Sequence, residues 1–157
     1  MARNIHQWIS DYSVSHQNQT NKKIHWVCVP LIMFTLLGLL SMIKLFNVGE
    51  FKVNLAYILI VLAWLFYLRL SIIISFGMFG ISALCIFGAY QLERLFGISD
   101  GTLILIYTGI FILAWIGQFI GHKIEGKKPS FFEDLQFLLI GPAWLLSFIY
   151  KKIGVNY

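Results

Sequence analysis

Charge is scarce in this chain, and acid is scarcer: seven Asp and Glu stand against twelve Lys and Arg, and charged residues make up 12% of the 157. A soluble domain carries about 25% charged residues, so a surface that faces water all round is excluded. Cysteine is nearly absent, with Cys28 and Cys85 in separate apolar runs and no CxxC spacing. That removes a disulfide framework, a thiolate metal site and a c-type haem attachment, and both residues are expected to be buried free thiols. No GxGxxG turn marks a dinucleotide site, and a serine intramembrane hydrolase with its GxSxG elbow is set aside. No basic stripe carries interleaved aromatics, so the net charge of +5 points to anionic lipid head groups and away from nucleic acid.

What the chain does have is long apolar sequence. Mean hydropathy is +0.78, and the hydrophobic 59% of residues falls in blocks and does not alternate as in a barrel strand. The expected fold class is all-α: a polytopic membrane helix bundle in one domain, residues 1–157, with about five spans. Residues 1–23 are polar, contain Asp11 and lack the apolar core of a secretory signal, so insertion is expected to rest on the spans themselves. Ile5, Trp8, Ile9 and Tyr12 fall at i, i+3, i+4 and i+7, the stripe of an amphipathic helix lying in the membrane interface. Gln17 to Lys23 reads as a loop or helix entry.

The spans are expected at 26–46, 54–68, 70–92, 103–121 and 135–150. Pro30 falls near the start of the first, where a missing N–H is least costly, and Lys44 near its end can snorkel. The run 54–92 is broken only by Arg69; as one helix it would reach about 58 Å, twice the ~30 Å hydrocarbon core. An arginine at the bilayer centre costs about 2.5 kcal/mol or more, which predicts a tight turn at Arg69 and two spans. Gly109, Gly117 and Gly121 leave room for close approach of another helix.

Two polar clusters stand out: His16-x-Asn18-x-x-Asn21-x-x-x-His25 before the first long apolar run, and Gln118-x-x-Gly121-His122-x-x-Glu125 after the fourth. Four crossings between His25 and His122 return both clusters to one membrane face; three would separate them. That face holds seven cations, Arg3, Lys22, Lys23, Arg69, Lys123, Lys127 and Lys128, against five on the other, a bias that assigns it to the cytoplasmic side of a bacterial inner or plasma membrane or of a eukaryotic endoplasmic reticulum. An imidazole ligand needs its second nitrogen oriented by a hydrogen bond, and Asn18, Asn21 and Gln118 are candidates for that task. His122 and Glu125 at i and i+3 share a helix face. Three imidazoles, with or without that carboxylate, suit Fe(II), Zn(II) or Mn(II). The plainer alternative is interfacial histidines and a capping Glu.

Tyr12-x-x-x-His16-x-Asn18-x-x-Asn21-x-x-x-His25-x-x-x-x-Pro30, followed by Trp115-Ile116-x-Gln118-Phe119-x-Gly121-His122-x-x-Glu125-x-x-x-Pro129, resembles the small multi-spanning family of Fe(II)-dependent 2-hydroxy fatty acid dioxygenases, whose eukaryotic members serve α-oxidation in phytosphingosine breakdown. The resemblance covers nearly the whole chain. It implies that His16, His25 and His122 are the iron ligands, that Glu125 is a ligand, an acceptor behind the ligands or a proton carrier, and that O2 and a long-chain 2-hydroxy fatty acid are the substrates. A 2-hydroxy acid can chelate Fe(II) through carboxylate and hydroxyl, and C1–C2 cleavage to a shortened acid plus CO2 needs no outside reductant. Glu125, Asn18, Asn21 and Gln118 make up the candidate catalytic group. His6 lies outside the motif and reads as interfacial, Lys127-Lys128 as loop charge that can also attract a carboxylate, and Glu133 and Asp134 are assigned no role. A non-catalytic membrane scaffold or small transporter with incidental histidines is the rival reading; four histidines are too few for a desaturase, and their place at span ends argues against a b-type haem.

Overall fold

The first helix starts where Asn4 and Gln7 satisfy each other's backbones: the Gln7 N–H donates to the Asn4 side chain and the Asn4 N–H to the Gln7 side chain, each at 2.9 Å, a capping box. The computed structural model describes residues 3–129 and 136–157, which order as α1 (Ile5–Val14), α2 (Gln19–Ser41), β1 (Lys44–Val48), β2 (Phe51–Asn54), α3 (Leu55–Leu68), α4 (Ile72–Phe96), α5 (Asp100–Glu125) and α6 (Phe137–Lys152). Glu133, Asp134 and the first residue of the expected fifth span lie outside the described residues. Side chains of Asn18, Asn54, Ser71 and Ser99 cap α2, α3, α4 and α5, each accepting N–H donors that the first helical turn cannot pair internally. Gly97 at φ 57° and Gly126 at φ 73° close α4 and α5, in the left-handed region that only a residue without Cβ enters cheaply.

Among the described residues three helices, α2, α4 and α5, are long and apolar enough to cross a membrane. Their outward faces are bare leucine and phenylalanine, with Leu84, Leu105 and Leu113 at 70%, 75% and 68% exposure, as lipid contact requires. Of the five expected spans these three reach full spanning length; the two others are shorter helices, α3 with 14 residues and α6 with 16, rises of about 21 and 24 Å against ~30 Å of hydrocarbon. The turn at Arg69 is present, with Arg69 exposed as the C-cap of α3. The first span was expected to begin at Trp26 and run to Phe46; instead α2 begins seven residues earlier, at Gln19, so Pro30 lies inside the helix and His25 on it. Residues 44–54 form an antiparallel hairpin turning at Gly49, where β-branched and aromatic residues on both sides of a turn residue favour strands.

The apolar stripe of α1 is real, but protein and not lipid covers it. Ile5, Trp8, Ile9 and Tyr12 are all buried in one cluster with Phe137, Ile140, Trp144 and Leu145 of α6. The expected contact of this stripe with the membrane interface is thus corrected to docking on α6. The Gly97-Ile98-Ser99-Asp100-Gly101 segment does have GxSxG spacing. Its serine hydroxyl, however, caps α5, accepting from the Thr102 N–H at 3.4 Å, at the opposite end of that helix from His122, so it carries no hydrolase site.

α2 and α5 pack antiparallel. A methyl built on Gly121 would meet Asn21, one on Gly117 would meet the Cys28 sulfur at 2.7 Å, and one on Gly38 would meet the Tyr107 ring at 2.8 Å; residue numbers rise on one helix as they fall on the other. Gly109, by contrast, faces open space and plays no part in packing. This pairing brings the start of α2 to the end of α5, and with them the two polar clusters. Gly121→Ala is expected to lower stability by about 1–3 kcal/mol through overpacking, because the fully buried Asn21 has no room to retreat. Gly109→Ala is expected to leave it unchanged or slightly raised; thermal unfolding of both variants in detergent checks the pair.

Candidate metal centre

Two histidines face each other with their lone pairs. His16 follows α1, and its Nδ1 lies 2.6 Å from the Tyr12 carbonyl; His25 sits in the second turn of α2, with Nδ1 3.0 Å from the Asn21 carbonyl. A carbonyl oxygen only accepts, so each Nδ1 carries the hydrogen and each Nε2 is bare. Those two Nε2 atoms are 2.9 Å apart. His122, one turn from the end of α5, completes the group: its ring centroid is 4.9 Å from that of His16 and 5.1 Å from that of His25, and its Nδ1 is buried without a partner among the described residues. One ligand atom from each ring falls within 4.8 Å of the others, and the three side chains are 0%, 0% and 4% exposed.

Bare acceptors converging in a buried space repel unless a cation sits among them. A proton serves poorly there, since burial, reinforced by His25, pushes the His16 imidazole down to about 3. Three neutral imidazoles are the donor set of divalent transition metals, and a backbone carbonyl behind each of two of them fixes tautomer and ring direction as metal sites require. The three buried histidines can therefore hold a metal ion. Aromatic rings hold the group in place: Tyr12 stacks on His16 at 4.1 Å and 12°, Trp144 lies 5.2 Å from it, and the Trp144 indole N–H donates to the Ser13 hydroxyl at 2.9 Å.

The amides expected to orient the imidazoles do other things. Asn18 caps α2, accepting from the N–H groups of Thr20 and Asn21. The Asn21 side chain donates to a Glu125 oxygen at 3.0 Å, and only its main-chain carbonyl touches a histidine. Gln118 touches none of the three rings by hydrogen bond, and its Nε2 is buried and unpartnered among the described residues. Glu125 falls outside the cluster of ligand atoms. Its carboxylate accepts from the N–H groups of Gln17 at 2.7 Å and Asn18 at 2.9 Å, so it straps the end of α5 to the start of α2, where a negative charge is favoured by the helix dipole. Lys127 donates to the Val14 carbonyl at 2.9 Å, closing the last turn of α1 in place of the loop charge expected of it. His6 stacks on Tyr157, away from the cluster. Cys28 and Cys85 are half-buried and free. Tyr12 and Trp144 were not named as site residues; Tyr12 had a signal, four residues before His16, whereas nothing local marks Trp144.

His122 also opens onto a cavity of about 480 Å³. Its walls are largely apolar side chains of α2, α3, α4, α5 and α6, among them Met33, Leu37, Ile60, Met78 and Phe111, and its polar lining includes Tyr12, Gln118 and His122. A buried three-imidazole cluster at the head of an apolar cavity suits an amphiphile with a metal-binding head and a long tail.

The model of a family described as 2-hydroxy-palmitic acid dioxygenase Mpo1-like matches residues 2–153. The chain belongs to the Mpo1-like family. It is 27% identical over 148 residues to the 2-hydroxy-palmitic acid dioxygenase MPO1 of Saccharomyces cerevisiae, an alignment covering 91% of this chain and 78% of the yeast protein. No solved structure matches. The matched region encloses both polar clusters, so this Mpo1-like chain has its histidine cluster, its strap at Glu125 and its cavity all within the part that defines the family.

Two consequences can be measured. In Glu125→Gln either orientation of the amide sets an NH2 group against backbone N–H donors; losing such charge-assisted bonds is expected to lower stability by about 1.5–3 kcal/mol, read by thermal unfolding, with metal content retained at reduced affinity. The second concerns pH. An unfolded chain protonates His16 near 6.5, whereas the folded imidazole waits until about 3. Between these values the unfolded state binds more protons, so stability falls as pH falls. Metal-free protein is expected to melt progressively lower from about pH 7 to about pH 4, and His16→Gln to flatten that slope.

Proposed function

We propose that this protein is a membrane-bound dioxygenase that cleaves C1–C2 of long-chain 2-hydroxy fatty acids with O2, using Fe(II) held by His16, His25 and His122. The observation that supports this reading above all is the buried imidazole cluster at the head of an apolar cavity, in a chain of the Mpo1-like family. Cleavage balances without a reductant: R–CH(OH)–COOH and O2 become R–COOH, CO2 and H2O. Iron, when bound, supplies Lewis acidity and O2 activation at the head group.

The chain's own residues do the rest. The Tyr12 and Asn21 carbonyls hold the rings of His16 and His25 with their Nε2 atoms inward. Trp144, Tyr12 and Phe137 cover the cluster from the α1–α6 side and keep water from it. The cavity takes the acyl tail in surroundings as apolar as the bilayer it leaves, so transfer is governed by the fit of the head group. Substrate delivered from a membrane also accounts for a site at the shared ends of membrane-long helices.

Purified protein is expected to carry about one iron per chain, falling to background in His25→Ala or His122→Ala. After anaerobic Fe(II) loading, O2 and 2-hydroxyhexadecanoic acid are expected to yield the acid one carbon shorter, read by mass spectrometry. Full metal content in both variants would remove the three-histidine site, and a loaded enzyme that forms no shortened acid would remove the activity.

A further inference from the structure

Phe111, Trp115, Gln118 and His122 follow one another at steps of four, three and four residues along α5, one face of the helix, and all four line the cavity. The face therefore runs from an aromatic wall to a metal-binding imidazole over about 16 Å, with a single amide between them. His122 aside, whose Nδ1 is also unpartnered among the described residues, two hydroxyls lining the same cavity are satisfied by protein: the Tyr67 hydroxyl donates to the Leu139 carbonyl at 2.6 Å and the Ser82 hydroxyl to the Met78 carbonyl at 2.8 Å. Gln118 is not. Its side chain is 6% exposed and its Nε2 has no partner among the described residues. A buried N–H donor left unpaired is a standing penalty that folds tolerate where a ligand completes it. Orientation of the imidazoles does not explain it either, because backbone carbonyls already hold His16 and His25.

We infer that Gln118 is the head-group anchor: its amide N–H donates to an oxygen of the bound acid, carboxylate or 2-hydroxyl, while the tail runs along Trp115 and Phe111. This rests on the fatty-acid reading proposed above. The position suits the task, one helical turn from His122 toward the apolar end, so an acid whose head lies at the histidines passes its first carbons beside the amide. An amide suits it as well, since it supplies a donor without burying a second charge. Gln118 is thus a positioning and specificity residue, and its neutral donor favours an oxygen-rich head over a plain hydrocarbon.

The test uses the full chain in detergent, first metal-free, with binding of 2-hydroxyhexadecanoic acid and of hexadecanoic acid followed by quenching of tryptophan fluorescence. Gln118→Leu, with Gln118→Met as a second variant of similar volume, is expected to weaken binding about tenfold while iron per loaded chain and melting temperature are kept. Gln118→Glu is expected to weaken it further by repelling the carboxylate. Loss with both acids identifies the carboxylate as the partner; loss with the hydroxy acid alone identifies the hydroxyl. In turnover, KM is expected to rise more than kcat falls. Wild-type binding matched by Leu and Met variants would overturn the anchor and leave the proposed function standing, and so would variants that lose iron. A wild-type protein that binds neither acid and forms no product would instead overturn the function itself.

Discussion

The structure turns on two imidazole nitrogens that meet 2.9 Å apart. Each is bare because the opposite ring nitrogen is committed to a carbonyl, and neither carbonyl belongs to a mobile side chain. The Tyr12 carbonyl is fixed by α1 and the Asn21 carbonyl by α2. Two acceptors held this close are suited to a shared cation, and the arrangement that holds them belongs to two helices.

Everything around the pair serves to hold that approach. The antiparallel packing of α2 on α5 depends on Gly117 and Gly121, which let the backbones come close enough for His122 to reach the other two rings. Glu125 then straps the end of α5 to the N–H groups that open α2, and Lys127 straps it to the end of α1. α1 is held in turn by its apolar stripe against α6. The site is thus built from two neighbouring segments, the end of α1 and the start of α2, and a third about a hundred residues away at the end of α5. Two of the buried polar groups left unpaired among the described residues, Nε2 of Gln118 and Nδ1 of His122, belong to side chains that line the cavity, where a ligand can satisfy them.

Much of this was legible in the residues. Low charge and blocks of apolar sequence specify a membrane helix bundle, since charged groups are too costly in hydrocarbon. Arg69 marks a turn for the same reason. The clustering of three histidines in two polar patches points to residues that can hold a metal, and the order of the motifs points to the family. Where the reading went astray, the cause was a partner that the sequence does not display. The α1 stripe has the same period whether it meets lipid or α6. For Glu125, left open between ligand, acceptor and proton carrier, spacing from His122 is the same in each case, and the fold adds its contact with the N–H groups that open α2. The hairpin at 44–54 continues the apolar run before it, and only its strand pairing separates it from the first span.

What the sequence alone determined, then, is the material: an apolar chain divided into helices by Arg69 and the caps, with imidazoles at their ends, because hydropathy and local hydrogen bonding act over a few residues. The tertiary structure alone decided which groups face each other. His16 meets His25 where α1 turns into α2, whereas Glu125 reaches a helix start and Gln118 lies in the cavity through the approach of α2 to α5, a contact between residues about a hundred positions apart that no local pattern encodes.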